Sequence, residues 1–443
     1  MMAVRLSDHF TFKKLLKAVI APILMMVFTS IYSIVDGLFV SNFVGDSAFA
    51  GLNIIFPFTM IIGAIGFMFG AGGSALVSMK LGEGKKEEAN RIFSGIVYFT
   101  MILGAVISGV CFFFIEDIAI LLGATPEMLP HAVVYGKIII AGEVAFMTQN
   151  LFQVFCMVAE RPNLGFALSI IAGLVNMGLD AVLIVGFDMG IAGAGIATIA
   201  AQIIASLVAI IYFARKNKSL LHLAKPTFNL KNIFKAMTNG ASEFLGNVAS
   251  SLVGILFNLQ LLKYAGEAGV IAYGVLMYLG FIFNAIYIGY AIGTAPMIGY
   301  HYGAENHGEL KNIFKKSLFL NVVAGLIMMA LSVVLAQPLS SIFVGYDAEL
   351  LSFTTNAMRI FSFAFIFSGI NIFTSSFFTA LNNGLISAVV SMCRTLVFQI
   401  ACVFVLPLFW GVNGIWLSLI VAELLALIIC VICLLTNKKK YQY

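Results

Sequence analysis

The chain has 443 residues, of which 61% are hydrophobic and only 10% are charged, and its formal net charge is +5. A mean hydropathy of +1.04, with long apolar runs between short polar loops, excludes a soluble globular protein and indicates a polytopic helical membrane protein. The basic residues never form one patch with interleaved aromatic residues, so no nucleic-acid partner is predicted.

The chain contains about twelve apolar segments that are long enough to cross a bilayer, which requires about 20 apolar residues in a helix. They cover residues 15–38, 48–79, 92–115, 132–158, 163–187, 191–214, 234–262, 269–300, 313–336, 352–381, 385–409 and 412–436. Because six fall in each half, we predict an all-α membrane protein of two pseudo-symmetric six-helix lobes. We number these spans first to twelfth in chain order.

The second half of the chain repeats the first. The segment from Gly45 to Phe93 aligns without a gap on the segment from Gly266 to Phe314, at a constant offset of 221 (266 − 45). A fixed offset indicates duplication, and two hydrophobic halves related in this way are a common plan of secondary transporters. The predicted units are a first lobe at 1–214, a linker at 215–235 and a second lobe at 236–443.

The basic residues predict the orientation in the membrane. Of the 25 Lys and Arg residues, most lie at alternate junctions between spans. Only Lys137, Lys263 and Arg359 lie at the other junctions, and Arg394 lies inside a span. Because cytoplasmic loops carry the excess of basic residues, we predict a multi-pass protein of the plasma membrane with the linker and both termini in the cytoplasm.

The first lobe keeps two acidic residues inside its spans that the second lobe lacks. Asp36 lies in the middle of the first span and Asp180 in the fifth, whereas the residue that corresponds to Asp36 in the second half is Phe257. A charged side chain at bilayer depth costs about 2.5 to 3.5 kcal/mol on insertion scales. Two such residues in one lobe therefore imply a partner, a bound cation or a bound proton.

Three neutral polar residues are predicted to complete a cation site with these carboxylates. Asn176 lies four residues before Asp180, so both share one face of the fifth span. Asn150 in the fourth span and Thr198 in the sixth lie at a similar depth. The two carboxylates could share a proton. Alternatively, the oxygens could bind Na⁺, with Asp36, Asn176 and Asp180 as ligands. The alternative is a set of structural hydrogen bonds between helices, worth about 0.6 kcal/mol each.

Glu243 in the seventh span is the main buried carboxylate of the second lobe, and we predict a role for it in substrate binding or coupling. Methionine and aromatic side chains make adaptable binding surfaces, although most of those in a span contact lipid or neighbouring helices. The candidates for a substrate cavity are Met60, Phe67 and Met68 in the second span and Met277 and Phe281 in the eighth.

Three charged residues inside the spans have roles that the sequence leaves open. Glu143 and Glu423 could each make an interhelical hydrogen bond. Arg394 could face a cavity, pair with Glu423 or extend its charge to the membrane surface.

Several motifs resemble the multidrug and toxic compound extrusion (MATE) transporters, within the wider group of multidrug, oligosaccharidyl-lipid and polysaccharide exporters, and the resemblance covers essentially the whole chain. The first motif is the pattern of the first span, which runs from Pro22 through Asp36 to Val40. The second is the loop Lys80–Gly84, which is repeated at His301–Glu305. The others are Leu122–Pro126 and the pair of segments Asn176–Asp180 and Gly190–Thr198.

The resemblance implies export of organic cations and amphipathic drugs by antiport with Na⁺ or H⁺, with the substrate between two lobes and no cofactor beyond the coupling ion. It implies the cation site for Asp36, Asn150, Asn176, Asp180 and Thr198. It also implies a monomer and makes Pro22 a candidate hinge in the first span, although a proline near the start of a helix is ordinary.

Other functions receive less support. A flippase for a lipid-linked oligosaccharide is the alternative within transport, but a pyrophosphate cargo calls for a strongly cationic cavity, and the spans offer only Arg394. An enzyme is not predicted, because the five histidines lie at loops or helix ends and no nucleophile is paired with a base. A channel is disfavoured because no repeated filter or ring of like charges occurs.

Overall fold

The computed structural model describes residues 4–225 and 229–443. The part of the predicted linker at 226–228, which includes Pro226, lies outside the described residues. Every regular element in the described ranges is a helix, and eleven of the helices are long and apolar enough to cross a membrane.

The first lobe consists of six long helices that correspond to the first six predicted spans. Their bounds are Phe12–Phe43, Asp46–Gly82, Lys86–Leu121, Leu129–Val158, Pro162–Asp180 and Gly190–Ala214, and a π-helical turn, Ala181–Gly186, continues the fifth. Polar side chains fix some of the starts. The Thr11 hydroxyl, for example, accepts a hydrogen bond from the backbone N–H of Lys14 and caps the first helix.

The second lobe contains one continuous helical assignment, Leu230–Gly303, of 74 residues. A straight helix of that length would measure about 110 Å, far more than the roughly 30 Å hydrocarbon core of a bilayer. It breaks at Gly266, where φ is 61° and ψ is −152°, a conformation that favours glycine. The two parts, 230–265 and 267–303, are the seventh and eighth spans, and the prediction of twelve spans is confirmed.

The remaining helices of the second lobe follow the predicted order. They are His307–Val334, Ala348–Ala380, Gly384–Val405 and Pro407–Tyr441. A 3₁₀ turn interrupts the tenth span at Ser362–Ala364, and a π-helical segment lies in the eleventh at Cys393–Val397. A short helix that was not predicted from the sequence, Ala336–Val344, lies between the ninth and tenth spans.

The duplication is visible in the backbone. Gly45 and Gly266 both have positive φ, of 98° and 61°, and so do Gly190 and Gly411, at 55° and 54°. Each pair is separated by the repeat offset of 221 (266 − 45 and 411 − 190). Equivalent turns therefore precede the second span and its repeat, the eighth. A second pair of equivalent turns lies at the start of the sixth span and its repeat, the twelfth.

The two halves pack closely at the end of the molecule where the basic loops cluster, here called the basic end. A Cβ atom added to Gly82 would lie 2.0 Å from the Tyr300 carbonyl oxygen, and one added to Gly303 would lie 2.0 Å from that of Met79. These contacts are related by the repeat, since 303 − 82 and 300 − 79 are both 221. The second and eighth helices thus meet backbone to backbone, as small residues permit in membrane proteins.

Substitution of Gly82 by alanine is expected to force the second and eighth helices apart, because the new methyl group would overlap backbone rather than a movable side chain. We expect a loss of stability of about 1 to 3 kcal/mol, as for overpacked cores, measured as thermal unfolding in detergent. The control is Gly109→Ala, since a Cβ at Gly109 meets nothing within 4 Å. Equal stability of the two variants would contradict this packing.

The segment before the first helix crosses between the lobes at the basic end. The backbone N–H of Leu6 donates to Glu160 of the first lobe at 2.6 Å, and that of Phe10 donates to Glu309 of the second lobe at 2.8 Å. Lys316 donates to the Phe10 carbonyl oxygen at 2.6 Å. The Phe10 side chain is fully buried, so the segment adds to the core that the two lobes share at this end.

Replacement of Phe10 by alanine is expected to cost about 3 to 5 kcal/mol of stability, the range for a buried phenylalanine. Phe12→Ala is the matched control, because Phe12 lies two residues away and is 43% exposed. The midpoint temperatures of thermal unfolding should separate the two variants clearly. A Phe10→Ala protein as stable as Phe12→Ala would show that the segment does not hold the lobes together.

Candidate functional site

A cavity of about 420 Å³ lies between the two lobes. Its wall includes residues from the first, second and fourth to sixth helices of the first lobe and from the seventh, eighth and tenth helices of the second. The lining contains four of the five residues predicted for the cation site: Asp36, Asn150, Asn176 and Thr198. The fifth, Asp180, lies directly behind this wall and is fully buried.

The predicted cation residues converge from three helices. The Asn176 side-chain amide on the fifth helix lies 3.4 Å from the Asp36 carboxylate on the first and 3.4 Å from the Thr198 hydroxyl on the sixth. The carboxyl groups of Asp36 and Asp180 are close neighbours. Two carboxylates could share a hydrogen bond only if one of them carried a proton, because an ionised carboxylate only accepts.

Several polar atoms of this cluster lack a protein partner in the described part of the chain. They are both carboxylate oxygens of Asp180, the Asn176 Oδ1 atom and the Asn150 Nδ2 atom. A buried oxygen without a donor costs about 1 to 3 kcal/mol, and more when it is charged. A proton or a hard cation would satisfy the oxygens, so the cluster is chemically suited to bind either one.

The fit to Na⁺ depends on neutral oxygens as well as carboxylates. Within the described residues, no group of three or more His, Cys, Asp or Glu side chains could hold a metal ion. A Na⁺ ion here would use the carboxylates of Asp36 and Asp180 together with the Asn176 amide and Thr198 hydroxyl oxygens, the ligand types that hard cations prefer. This donor set is compatible with Na⁺ and equally with a proton.

The backbone at Asp180 is irregular. The α-helix ends at this residue, and the six residues that follow, Ala181–Gly186, form a π-helical turn. Such turns are rare and often lie at functional sites. The change of helix type thus comes directly after one of the two carboxylates.

The role of Glu143, which the sequence leaves open, can now be judged from its surroundings. It lines the same cavity, it is fully buried, and neither of its carboxylate oxygens has a partner among the described residues. The available signal was its spacing of seven residues from Asn150, which places both side chains on one helix face. Tyr32 and Tyr135 also line the cavity and were not anticipated, because nothing in their local sequence distinguishes them from packing residues.

The predicted substrate residues divide into three groups. Glu243, Met60, Phe67 and Phe281 line the cavity between the lobes. Met277 lies instead in an adjoining cavity of the second lobe, of about 350 Å³.

Met68 lines neither of these two cavities. It belongs to the hydrophobic core, and its carbonyl oxygen packs against Gly240 of the seventh helix. The prediction that Met68 lines the substrate cavity is therefore corrected: Met68 packs in the core. Its neighbour Phe67 lines the cavity because consecutive helical residues differ in direction by about 100°.

Pro22 lies within an uninterrupted first helix and contacts the eighth helix. A Cβ atom added to Gly289 would lie 2.6 Å from the Pro22 carbonyl oxygen, and one added to Gly293 would lie 2.8 Å from the Pro22 ring. Proline removes the hydrogen bond to the residue four positions earlier. The first helix therefore lacks one backbone hydrogen bond where it packs against the eighth helix, and the role of Pro22 as a hinge stays a prediction.

The structure settles the partner of Arg394. Its Nε atom donates to Glu423 at 2.9 and 3.1 Å, and its Nη2 atom lies 2.9 Å from the same carboxylate. The Asn371 amide donates to Glu423 as well, at 2.6 Å. Arg394 thus forms an ion pair between the eleventh and twelfth helices, and its charge is largely compensated.

Two bacterial multidrug export proteins resemble this chain over most of its length. The multidrug export protein MepA of Staphylococcus saprophyticus is 27% identical over 398 residues, which cover 89% of this chain and 86% of that protein. MepA of Staphylococcus haemolyticus is 25% identical over 423 residues, which cover 94% and 92% of the respective chains.

Solved structures share the fold. A MATE protein in complex with MaL6 superimposes with a TM-score of 0.94 at 20% identity, over 100% of this chain and 99% of that one. An outward-facing conformation of a multidrug resistance MATE family transporter superimposes with a TM-score of 0.93 at 20% identity, and the coverage of the two chains is the same.

The sequence model of the MatE family matches residues 22–182 and 243–405, one segment in each repeat and together well over half of the chain. These segments contain Asp36, Asn150, Asn176 and Asp180 in the first lobe and Glu243 and Arg394 in the second. The chain therefore belongs to the MatE family of membrane transporters, not to a family of enzymes.

Proposed function

We propose that this protein is a multidrug exporter of the plasma membrane that moves organic cations and amphipathic drugs outward in exchange for Na⁺ or H⁺. The observation that carries the proposal is the cluster of Asp36, Asn176, Asp180 and Thr198 beside a cavity that both lobes enclose. The names of the relatives, multidrug export proteins, support the cargo class.

The proposed orientation places the basic end in the cytoplasm, by the positive-inside rule. The backbone contacts of Gly82 with Tyr300 and of Gly303 with Met79 then close the cytoplasmic side. A cavity closed on that side is not inward-facing. Transport requires the opposite form as well, in which these contacts separate and the lobes rock about the binding site.

Coupling follows from the charge of the cation site. When Asp36 and Asp180 hold neither Na⁺ nor a shared proton, their negative charge attracts a cationic drug in the adjoining cavity. At 4 Å and an effective dielectric constant of 20, such an attraction is worth about 4 kcal/mol. Binding of the coupling ion neutralises one of the two negative charges and weakens drug binding, and by linkage the drug weakens ion binding equally. This reciprocity is what an exchanger needs.

The deciding experiment measures ethidium transport in proteoliposomes under a Na⁺ gradient and, separately, under a pH gradient. Transport driven by one gradient alone would identify the coupling ion. Transport under neither gradient would contradict the antiporter and favour the flippase alternative. The compensated charge of Arg394 supports the antiporter, because a pyrophosphate-bearing lipid would require free cationic groups.

A further inference from the structure

The first-lobe side of the cavity between the lobes carries more acidic groups than the Asp36–Asp180 cluster accounts for. Its wall contains Asp36 and Glu143, and the fully buried Asp180 lies directly behind it. The described residues that line the cavity include no lysine, arginine or histidine. One coupling ion at the cluster neutralises one of these three carboxylates. Uncompensated charge is unfavourable at membrane depth, so the other carboxylates require further positive charge.

Glu143 does not belong to the hydrogen-bonded part of the cation site. The Asn176 amide approaches both Asp36 and Thr198, whereas both carboxylate oxygens of Glu143 lack a partner among the described residues. The Glu143 side chain is fully buried on the fourth helix. An ionised carboxylate at this position has neither exposure to solvent nor a protein donor to stabilise its charge.

The surroundings of Glu143 favour a proton over a larger ligand. A Cβ atom added to Gly63 of the second helix would lie 3.1 Å from the Glu143 Oε1 atom and would overlap the Phe146 ring. Because the Glu143 oxygens are buried beside this closely packed helix, an organic cation does not contact them. Na⁺ needs several oxygen ligands, and the neighbours at this point are a glycine and a phenyl ring. A proton needs only one oxygen, and burial favours the neutral acid.

The titratable side chains around Glu143 are acids, and none of them supplies a positive charge. Tyr135, two turns earlier on the fourth helix, lies near Glu143 and also near the Asp36–Asp180 cluster. Cys111 approaches Glu143 from the third helix, and the first helix adds Tyr32 beside the cluster. The second and sixth helices add no titratable side chain to the cavity wall, and Glu243 faces the cavity from the seventh. Tyrosine and cysteine are neutral near neutral pH.

We propose that Glu143 is a proton-binding site of its own, separate from the Asp36–Asp180 cluster, and that it releases its proton when a cationic cargo occupies the cavity. The carboxylic acid then gives H⁺ to water and becomes a carboxylate, because a nearby positive charge favours the charged form. By linkage, a proton on Glu143 weakens binding of the cargo. This inference rests on the proposed drug-export function and adds one proton to each exchange, whichever ion the cluster takes.

The test counts the protons released when ethidium binds to the full-length detergent-solubilised protein. Calorimetric titrations in two buffers of different ionisation enthalpy give this number, and a series of pH values around neutrality covers the titration of the site. The wild type is compared with Glu143→Gln, which keeps the size of the side chain and removes its titratable proton. At the pH of largest release, we expect the variant to release about one proton fewer per ethidium bound. The difference cancels whatever the cluster contributes.

Glu127→Gln is the matched control, because Glu127 lies just before the fourth helix and is exposed, and it should leave the proton count unchanged. Infrared difference spectra, taken with and without ethidium, provide a second readout. In the wild type, the C=O band of a protonated carboxylic acid should disappear when ethidium binds. In Glu143→Asp this band should appear at a shifted frequency, and in Glu143→Gln it should be absent.

Equal proton release by the wild type and Glu143→Gln, or an infrared band that Glu143→Gln retains, would overturn the proton site. If Glu143→Gln does not fold, Glu143→Asp decides, because its band shifts only when this side chain carries the proton. The proposed export function is tested separately by gradient-driven ethidium transport. A reduced proton count without transport would support the site and contradict the exporter, whereas transport with an unreduced count would contradict the site alone.

Discussion

Replacement of Asp36 or Asp180 by asparagine is expected to abolish gradient-driven drug transport while the protein still folds. Each substitution removes a negative charge that the proposed cation site requires. With about 4 kcal/mol of attraction at stake for a close pair of charges, we expect coupling-ion binding to weaken by at least about 100-fold. Transport of ethidium in proteoliposomes under the effective gradient is the measurement.

The Asp180→Asn variant is also expected to be as stable as the wild type, because neither Asp180 oxygen has a protein donor to lose. Asp117→Asn is the control, since Asp117 lies on an exposed part of the third helix and should keep full transport. Wild-type transport by either Asp36→Asn or Asp180→Asn would refute the assignment of the cation site.

Substitution of Arg394 alone by glutamine is expected to destabilise the protein by about 3 to 5 kcal/mol, the cost of breaking a buried ion pair from one side. The reason is that Glu423, which is 1% exposed, would keep its charge with only the Asn371 amide to support it. Thermal unfolding in detergent and the yield of folded protein from membranes are the measurements.

The double variant Arg394→Gln with Glu423→Gln should recover most of that loss, because replacement of a complete buried pair by neutral groups is often close to neutral in stability. If the single and double variants were equally unstable, the loss would come from packing of the arginine stem and not from the unpaired carboxylate. Lys263→Gln serves as the control, because Lys263 is exposed and no change in stability is expected.

The spans, the duplication and the family could be predicted from the sequence because each depends on local properties of the chain. A run of apolar residues is required of any helix that crosses a bilayer, and the offset of 221 is readable without coordinates. The Asp36 and Asp180 carboxylates stood out because charge is rare at that depth. Their convergence with Asn176 could be anticipated in part from its spacing of four residues before Asp180.

The faces of the helices could only be decided by the tertiary structure. Met60, Phe67 and Met68 all lie in the second helix and are all apolar. Met60 and Phe67 nevertheless line the cavity, whereas Met68 packs in the core. Arg394 and Glu423 lie on different helices, and only their packing makes them partners. In a membrane, lipid and protein interior are both apolar, so hydropathy indicates that a residue is in the bilayer and not which neighbour it contacts.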